Sequence, residues 1–390
     1  MEEMYQTLVY GKNNTATVFT DNLDQVSRRQ IQDMMDSELF SGSQVRIMPD
    51  VHAGKGSVIG FTASIGDKVC VNVVGVDIGC GVTLDRISCK RGMDFSALDK
   101  AIRAGVPSGF SVHKSLHPSL KSGQSKLGSL YSDIRDDILV ICKKIGFDHD
   151  RAINSIGSLG GGNHFIEQVF NNEVGHHLHI HSGSRGFGAK LAEWHQRKAN
   201  ELFDAGKYPK GTPKVLAWLD GDDAEGYRRD VVVAQKYASL SRKVMAHIIK
   251  EAMGWDLDDH VESVHNYLDY DAGYIRKGAI SAQEGERLVI PISMADGVIV
   301  GTGKGNQGWN YSAPHGAGRL LARGEAKRQL SMEEYKSRME GVWSSCVGTD
   351  TLDESPMAYK GRDYILERIR DTIDVGYVAK PVYNFKAGGE

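Results

Sequence analysis

The fold class can be inferred from one short segment, Leu178-His179-Ile180-His181-Ser182-Gly183-Ser184-Arg185-Gly186. Its first residues alternate between apolar and imidazole side chains, which is the period of a β-strand whose two faces differ. Leu178 and Ile180 are expected to face the core, and His179 and His181 to face the opposite side. Because the strand leads into a glycine-rich turn, the imidazole face is expected to border a pocket in which backbone approaches a ligand. A lone histidine in a strand is more often structural, so the pattern needs support from other residues.

Segments of β character broken by glycine alternate along the chain with longer helical segments. Short apolar runs between glycines predict strands, and apolar residues at helical intervals predict an amphipathic helix over residues 231–255 that packs against the sheet. No repeat of fixed period and no linker-like stretch interrupts the pattern, so we expect a single α+β domain over residues 1–390. The predicted β-segments are 45–82, which includes 69–76, then 156–188, 276–311 and a short terminal strand at 380–386; further helices are predicted at 129–145, 332–342 and 364–373.

The composition excludes several classes of protein. A net charge of -3 argues against a uniformly basic nucleic-acid-binding protein but leaves room for a local basic channel, because phosphate binding depends on where charge lies. The scattered cysteines form no CxxC pair, so neither a disulfide framework nor a zinc ribbon is indicated. The apolar stretches are too short to cross a bilayer, and the acidic start, residues 1–5, does not resemble a signal peptide. We therefore expect a cytoplasmic protein that makes no membrane contact.

Side chains that bind metals recur beside the glycine runs. Asp77 and Cys80 lie three residues apart between glycines, so a tight turn would let a carboxylate and a thiolate share a metal ion. His164 follows three consecutive glycines, and His181 and His265 lie on or beside predicted β-segments. Together these residues form a mixed O, S and N ligand set suited to one or two transition-metal ions. Taken singly, each is more often a buried structural residue.

Two further glycine-rich segments point to a bulky phosphorylated ligand. Residues 157–162 leave little side-chain bulk in front of Asn163, and backbone amides of such loops cradle phosphates, although many glycine loops are only turns. His315 is followed by Gly316-Ala317-Gly318, and these small neighbours leave its ring accessible to a bulky group. His315 is therefore a candidate for chemistry rather than for structure.

At this level of detail the chain resembles the RtcB family of RNA-splicing ligases. The resemblance extends from about residue 45 to Lys386 and follows the family's order of motifs. Several independent motifs would have to coincide by accident for the match to be spurious. The motifs that carry it are Met48-Pro49-Asp50-Val51-His52-Ala53-Gly54-Lys55-Gly56, the run Asp77 to Val82, Gly160 to Glu167, His181 to Gly186, Arg276-Lys277-Gly278-Ala279 and His315 to Arg319.

The resemblance implies an α+β fold with a mixed β core, surrounding helices and a deep metal-containing central cleft. It also implies roles for individual residues. Asp77, Cys80, His164, His181 and His265 match the ligands of two manganese ions, with Cys80 bridging; His315 matches the histidine that becomes bonded to GMP; Asn163, Glu167, Asn266, Ser293, Gly316, Ala317, Gly318 and Lys386 match parts of the guanine-nucleotide site; Arg185, Lys277, Lys304 and Arg319 are candidates for RNA phosphates.

The activity implied by the resemblance is a ligation that depends on GTP and Mn²⁺. GMP would be attached to His315 and passed to an RNA 3′-phosphate, which is supplied directly or by opening a 2′,3′-cyclic phosphate. A 5′-hydroxyl end would then attack and release GMP. The expected setting is RNA repair or tRNA splicing, with an activator protein as a further expected partner.

One segment departs from the family pattern, and other functions stay open because of it. Ile292 and Ala295 stand where the family usually has glycine, and we expect their side chains to intrude into the nucleotide pocket, with Asp296 repelling phosphate. One alternative is therefore a metal-dependent phosphodiesterase or a 3′-end-capping nucleotidyltransferase. Another is a non-enzymatic RNA-binding subunit with a structural metal site, which the presence of His315 and Glu167 disfavours. His52, His179 and Cys89 are expected to be structural or to support the ligands.

Overall fold

The computed structural model of the protein describes residues 5–89 and 92–387. The described strands are β1 (Thr7–Tyr10), β2 (Thr15–Val18), β3 (Val45–His52), β4 (Ile59–Ser64), β5 (Gly81–Ser88), β6 (Phe165–Asn171), β7 (Gly175–Ser182), β8 (Asp256–Val264), β9 (Asn266–Asp269), β10 (Tyr274–Lys277), β11 (Ala279–Ser281), β12 (Arg287–Ser293), β13 (Gly297–Gly303), β14 (Ser312–Pro314) and β15 (Ile373–Phe385). The described α-helices are α1 (Gln25–Met35), α2 (Val71–Val74), α3 (Phe95–Gly105), α4 (Lys126–Ser132), α5 (Arg135–Ile145), α6 (His149–Asn154), α7 (Arg185–Asp204), α8 (Gly221–Met253), α9 (Arg323–Gln329), α10 (Met332–Arg338) and α11 (Arg362–Arg368). The acidic segment 1–5 is expected not to be a signal peptide. Its residues 1–4 lie outside the described residues.

The strands form two large sheets and one small one. The first has the order β1-β2-β3-β4-β10-β9, the second has the order β12-β13-β15-β6-β7-β5-β8, and β11 pairs with β14 alone. The second sheet curls so that β12 at one edge contacts β8 at the other. In this contact the backbone N–H of Val289 donates to Oγ of Ser263 at 3.0 Å. This architecture confirms the predicted α+β class with a mixed β core and surrounding helices. That the chain forms one domain stays a prediction.

The histidine-bearing strand lies inside the second sheet, as its alternating pattern predicts. It is β7, which pairs antiparallel with β6 and β5 on its two sides. Leu178 and Ile180 are fully buried in the main apolar core, which also contains side chains of α8 such as Val244. His179 and His181 therefore point to the other face of the sheet.

Helix α8 is the longest helix and holds the end of β7 in place. It includes the predicted helix 231–255 almost completely and ends at Gly254, whose φ of 63° is the left-handed conformation common at helix ends. From its buried face, Nη1 of Arg242 donates to the carbonyls of Gly79 at 2.9 Å and Ser182 at 2.6 Å. The guanidinium also pairs with Glu262 of β8 at 2.7 Å. One side chain thus ties the Asp77–Cys80 turn and the end of β7 to the helix.

Three local predictions differ from the structure. Residues 71–74 form the helical turn α2 instead of a strand, because the chain leaves β4 and packs its valines into the core before Gly75 turns it at a φ of 95°. The segment 156–188 ends in a helix, since α7 begins at Arg185. The terminal strand is long instead of short: β15 has 13 residues and lies between β13 and β6. Among the described residues, no helix is both long and apolar enough to cross a membrane.

Candidate metal centre and nucleotide cleft

The five predicted metal ligands form one continuous group of side chains. Nε2 of His164 lies 2.9 Å from Oδ2 of Asp77 and 3.4 Å from Sγ of Cys80. Nε2 of His181 lies 3.2 Å from the same sulfur and 3.3 Å from Nε2 of His265. Cys80 therefore stands between His164 on one side and His181 on the other.

The sheet brings these residues together because they lie at one end of neighbouring strands. Cys80 directly precedes β5, and His164 directly precedes β6. His181 of β7 is paired with Val82 of β5, and the backbone N–H of His265, just after β8, donates to the carbonyl of Cys80 at 2.8 Å. The antiparallel pairing thus makes one cluster of ligands that are far apart in the chain.

Two glycines are required for the close approach of these side chains. A Cβ on Gly183 would lie 2.1 Å from Oδ1 of Asp77, and a Cβ on Gly160 would lie 2.1 Å from Nδ1 of His164. Both distances are far below van der Waals contact. The next residue, Ser184, donates its backbone N–H to Oδ1 of Asp77 at 3.1 Å and fixes that carboxylate. The glycine runs therefore serve the positions of the ligands.

The neutral imidazoles and the ionised carboxylate of the group suit a bound cation, whereas the thiol of Cys80 would have to lose its proton to bind one. Burial lowers the pKa of His181 and His265 well below the ordinary value, with neighbouring imidazoles adding to the effect, so both rings are neutral near pH 7. Burial raises the pKa of the Cys80 thiol well above its usual value, and the Asp77 carboxylate raises it further. Burial also opposes ionisation of Asp77, but hydrogen bonds from His164 and Cys80 and the charges of His164 and Arg185 together outweigh it, so the pKa of Asp77 is lowered.

A divalent cation would account for close approaches between ring nitrogens and sulfur that hydrogen bonds cannot all satisfy. Nε2 of His181 approaches both a sulfur and the Nε2 of His265, yet a neutral imidazole carries only one proton. The ligand atoms of Cys80, His164 and His181 all lie within 4.8 Å of one another. Their lone pairs converge on a buried point with S, N and nearby O donors, which is a set that transition metals accept. The residues present therefore fit a metal ion.

His315 lies at the boundary between this cluster and a cleft. It follows β14, and its ring centroid is 4.8 Å from that of His265. Its Nδ1 lies 2.7 Å from Oδ2 of Asp50, a residue of β3 that is fully buried. Gly318 permits this pairing, because a Cβ there would lie 2.0 Å from the Asp50 carbonyl oxygen. The Asp50 contact leaves Nε2 of His315 as the ring nitrogen available for chemistry.

The cleft has a volume of about 780 Å³ and receives most of the residues predicted to bind the nucleotide. A volume of this size suits a small-molecule ligand. Predicted residues that line it are Asn163, Glu167, Ser293, His315, Gly316, Ala317, Gly318, Lys386, His181 and Arg319. Asn266 is not among the lining residues; its side chain instead accepts from the backbone N–H of Gly278 at 3.0 Å and donates to the carbonyl of Asp77 at 3.3 Å.

A buried network of charges forms one wall of the cleft. Nζ of Lys386 donates to the carbonyl of Asn163 at 3.2 Å and to Oε2 of Glu354 at 3.1 Å. Glu354 also pairs with Arg319 at 3.3 Å and with Arg323. Burial would raise the pKa of Glu354, but Lys386 and Arg323 lower it from 4.5 to about 2. The wall therefore holds three cations around an ionised carboxylate.

Other polar groups of the cleft are also fixed by hydrogen bonds. Oε1 of the buried Glu167 accepts from Nδ2 of Asn384 at 2.6 Å, and its Oε2 lies 3.3 Å from Nδ1 of His179. His52 lies beside His315 in the cleft lining, with its Nδ1 3.0 Å from the carbonyl oxygen of Asp50. His179 and His52 thus contact residues of the site from outside the ligand group.

The four RNA-phosphate candidates differ in their surroundings. Arg319 lines the cleft. Arg185 packs against the glycine loop, and its guanidinium Nη1 would lie 2.4 Å from a Cβ on Gly160. Lys277 is buried and donates to the carbonyls of Lys55 and Asn72, both at 2.9 Å, which argues against a phosphate contact. Nζ of Lys304 donates to the carbonyl of Arg370 at 2.9 Å, away from the cleft lining.

In the segment that departs from the family pattern, only one of the two side chains expected to enter the cleft does so. Ile292 lines the cleft and packs into an adjoining apolar cluster. Ala295 instead packs beside Met294 against a different apolar cluster and does not line the cleft, so the expected intrusion of its side chain is wrong. Asp296 accepts from Oγ of Ser293 at 2.7 Å in the turn between β12 and β13. It too is absent from the cleft lining.

Sequence reasoning gave no role to several residues that complete the site. Asp50 lies within the first family-like motif, and that motif was the available signal for it. Glu354, Lys360 and Arg323 line the cleft, and no pattern in the sequence pointed to them. Nζ of Lys360 donates to the carbonyls that flank Asp50, those of Pro49 and Val51, both at 3.0 Å.

Comparison with known proteins agrees with this geometry. The family model described as tRNA-splicing ligase RtcB matches residues 30–387. The RNA-splicing ligase RtcB of Escherichia coli K12 is 27% identical, and the alignment covers 88% of this chain and 90% of that protein. The tRNA-splicing ligase RtcB of Nanoarchaeum equitans is 27% identical, with 87% of this chain and 86% of that protein covered. Since the family match covers nearly the whole chain, including the five residues of the cluster and His315, the protein belongs to the RtcB family of RNA ligases.

Proposed function

We propose that the protein is an RNA ligase that uses GTP and Mn²⁺ to join a 3′-phosphate or 2′,3′-cyclic phosphate end to a 5′-hydroxyl end through a GMP–His315 intermediate. The observation that carries this proposal is the position of His315. Its Nδ1 is 2.7 Å from the buried carboxylate of Asp50, and its ring lies against His265 at the edge of the cleft. An imidazole held in this way resembles an activated nucleophile with its orienting group.

Asp50 sets which nitrogen of His315 reacts. By accepting a hydrogen bond from Nδ1–H, the carboxylate keeps the lone pair on Nε2 and stabilises the ring as it becomes positively charged. Nε2 forms a bond to the α-phosphorus of GTP while the bond from that phosphorus to the β-phosphate oxygen breaks, so pyrophosphate leaves. Divalent cations held by the five-ligand group would supply Lewis acidity and neutralise phosphate charge.

The later steps act on two different phosphorus atoms. An RNA 3′-phosphate oxygen attacks the phosphorus of the histidine-bound GMP, the N–P bond breaks, and His315 returns to its neutral state. The 5′-hydroxyl then attacks the RNA phosphate, and GMP leaves as the new phosphodiester forms. Asp50 holds the ring in one orientation through both transfers, which favours repeated in-line attack.

The charged wall of the cleft supports binding of a nucleotide. Arg319, Arg323 and Lys386 lie together around Glu354, and guanidinium groups suit the planar, forked contacts that phosphate and carboxylate oxygens make. Glu167, which also lines the cleft, is buried and fixed by Asn384, so it presents a preorganised acceptor to a base that carries N–H donors. Guanine has such donors on adjacent positions of one edge.

The alternative is a phosphodiesterase or 3′-end-capping nucleotidyltransferase with the same metal-ligand group. The observation that favours it is Ile292, whose side chain occupies the cleft lining where related proteins usually have glycine. A narrowed cleft would affect how GMP sits during the final attack. We place ligation first because the Asp50–His315 pair is complete.

The experiment is incubation of the purified protein with α-labelled GTP and Mn²⁺, followed by a denaturing gel, with and without RNA that carries a 3′-phosphate and a 5′-hydroxyl. We expect a labelled protein band that disappears as joined RNA forms, and no band for His315→Ala. His117→Ala is the matched control, because His117 is a histidine outside both the cluster and the cleft. A labelled adduct in His315→Ala would reject the assignment, and capped or hydrolysed RNA ends without joining would favour the alternative.

A further inference from the structure

A loop after α3 carries an aromatic side chain that the proposed chemistry does not use. Phe110 is 73% exposed, although a phenylalanine ring has no polar atom with which to meet water. Aromatic side chains with this exposure are common where a protein binds another molecule. The loop that carries Phe110 therefore merits a functional explanation.

The loop is fixed along the glycine segment that leads to the metal ligands. The backbone N–H of Leu159 donates to the carbonyl of Pro107 at 2.8 Å, and the backbone N–H of His113 donates to the carbonyl of Asn154 at 2.9 Å. Nε2 of His113 lies 3.1 Å from the carbonyl of Gly157. Contacts on both sides of Phe110 thus hold the loop against residues 154–159.

Two arginines hold the tip of the loop. Nη2 of Arg151, at the exposed face of α6, donates to the carbonyl of Phe110 at 3.0 Å. Arg185 donates to the carbonyl of Gly109. Because both carbonyls at the tip are bound, the backbone is set and the ring of Phe110 is presented to solvent in one place.

The second arginine also connects the tip to the metal centre. Arg185 lies against Gly160, where a Cβ would be 2.4 Å from its Nη1 and 2.1 Å from Nδ1 of His164. Gly109 and the ligand His164 are therefore separated by little more than one guanidinium group. The Phe110 loop therefore lies close to the metal centre.

We propose that Phe110 is a stacking platform for a nucleobase of a single-stranded RNA end whose terminal group lies at the metal centre. This inference rests on the proposed RNA-ligase function. Proteins bind unpaired bases by stacking them on exposed aromatic rings, with arginines along the phosphates. Arg151, which donates to the Phe110 carbonyl, is exposed, and Asp148, which accepts from the backbone N–H of Arg151, partly offsets its charge. Stacking is therefore expected to supply more of the affinity than ion pairing.

The test combines three substitutions at one position with a ligation assay. Phe110→Ala should raise KM for RNA by about tenfold, with kcat and the rate of GMP–protein formation in the absence of RNA unchanged. Phe110→Trp should restore the wild-type KM, whereas Phe110→Leu, which is apolar but has no π-face, should behave like the alanine variant. Tyr10→Ala is the matched control, since Tyr10 is an exposed aromatic residue of β1.

A direct readout uses RNA strands with 2-aminopurine near the 3′-phosphate end or near the 5′-hydroxyl end. Stacking quenches its fluorescence, so one of the two strands should be quenched by the wild type and the Trp variant and not by Phe110→Ala. An unchanged KM together with unchanged quenching in Phe110→Ala would overturn the inference, as would self-association of the chain that only Phe110→Ala abolishes. If the wild type forms no GMP adduct and joins no RNA, the proposed function fails, and the quenching comparison still decides whether Phe110 stacks on RNA.

Discussion

The carboxylate of Asp50 lies 2.7 Å from Nδ1 of His315, although the two residues are 265 positions apart in the chain. Asp50 is fully buried, and its other oxygen, Oδ1, has no hydrogen-bond partner among the described residues. Burying a carboxylate costs free energy, and one hydrogen bond with an imidazole offsets only part of that cost. We interpret the pair as the device that makes Nε2 of His315 the nucleophile.

Asp50→Asn should therefore slow the formation of the GMP adduct while leaving the fold intact. An amide of the same size cannot stabilise the charged ring and favours the wrong tautomer, so we expect a loss on the order of 10²–10⁴ in rate. The measurement is the rate of labelling by α-labelled GTP. Asp33→Asn, an exposed residue of α1, is the control, and an Asp50→Asn variant that labels at the wild-type rate would contradict the role.

Cys80→Ser should remove metal binding more completely than any single histidine variant. Sγ of Cys80 contacts both His164 and His181, so its loss removes the atom that lies between these two histidines. Bound manganese, measured by elemental analysis after desalting, should fall to a small fraction of the wild-type value. Cys142→Ser changes another buried cysteine, one in α5, and should keep the metal. Full manganese content in Cys80→Ser would exclude the sulfur as a ligand.

Gly183→Ala should lower metal affinity without changing the donor set. The added Cβ would lie 2.1 Å from Oδ1 of Asp77, so this carboxylate must move. We expect weaker manganese binding by titration, with secondary structure preserved by circular dichroism. Gly66→Ala is the matched control, since a Cβ there meets no atom within 4 Å. Equal affinities of the two variants would show that Asp77 does not need its present position.

Glu262 should make stability depend on pH in the acid range. Burial would raise its pKa, but Arg242 and Lys243 lower it from 4.5 to about 2 in the folded protein. The stabilisation is therefore complete above pH 4.5 and is lost as pH falls towards 2, a change of about 3 kcal/mol in the free energy of unfolding. Denaturant unfolding measured between pH 4.5 and 2 should show this loss of unfolding free energy in the wild type and not in Glu262→Gln. The exposed Glu173→Gln should match the wild type; equal pH profiles for wild type and Glu262→Gln would contradict the prediction.

The strand character of the histidine segment could be predicted because alternation is a local signal, whereas the grouping of ligands that are far apart in the chain was expected from the resemblance to the family. Alternation fixes the faces of β7, and glycines beside Asp77 and His164 mark places where side chains approach closely. The partner of His315 could not be derived in this way. Asp50 reaches it only because Gly318 lets the segment after β14 pack against β3, which is a tertiary event.

Local patterns misled where tertiary contacts override propensity. Val71, Val73 and Val74 favour a strand by their branched side chains, yet the chain makes a helical turn there because this places all three in the core. Lys277 is a candidate for RNA phosphates by sequence, but in the fold its ammonium group is surrounded by carbonyl oxygens. Burial lowers its pKa to about 8. Composition cannot distinguish a lysine that binds RNA from one that binds its own backbone.

The position of β15 has a consequence for how the protein is made. It runs between β13 and β6, and β6 directly follows the candidate metal ligand His164. A ribosome that has synthesised everything before Ile373 has thus made a sheet with two unpaired edges, which are prone to aggregate. Lys386 of the cleft wall is also still missing at that stage. Nascent chains are therefore expected to need protection until β15 has been synthesised, and the ligase can become active only when that strand closes the sheet.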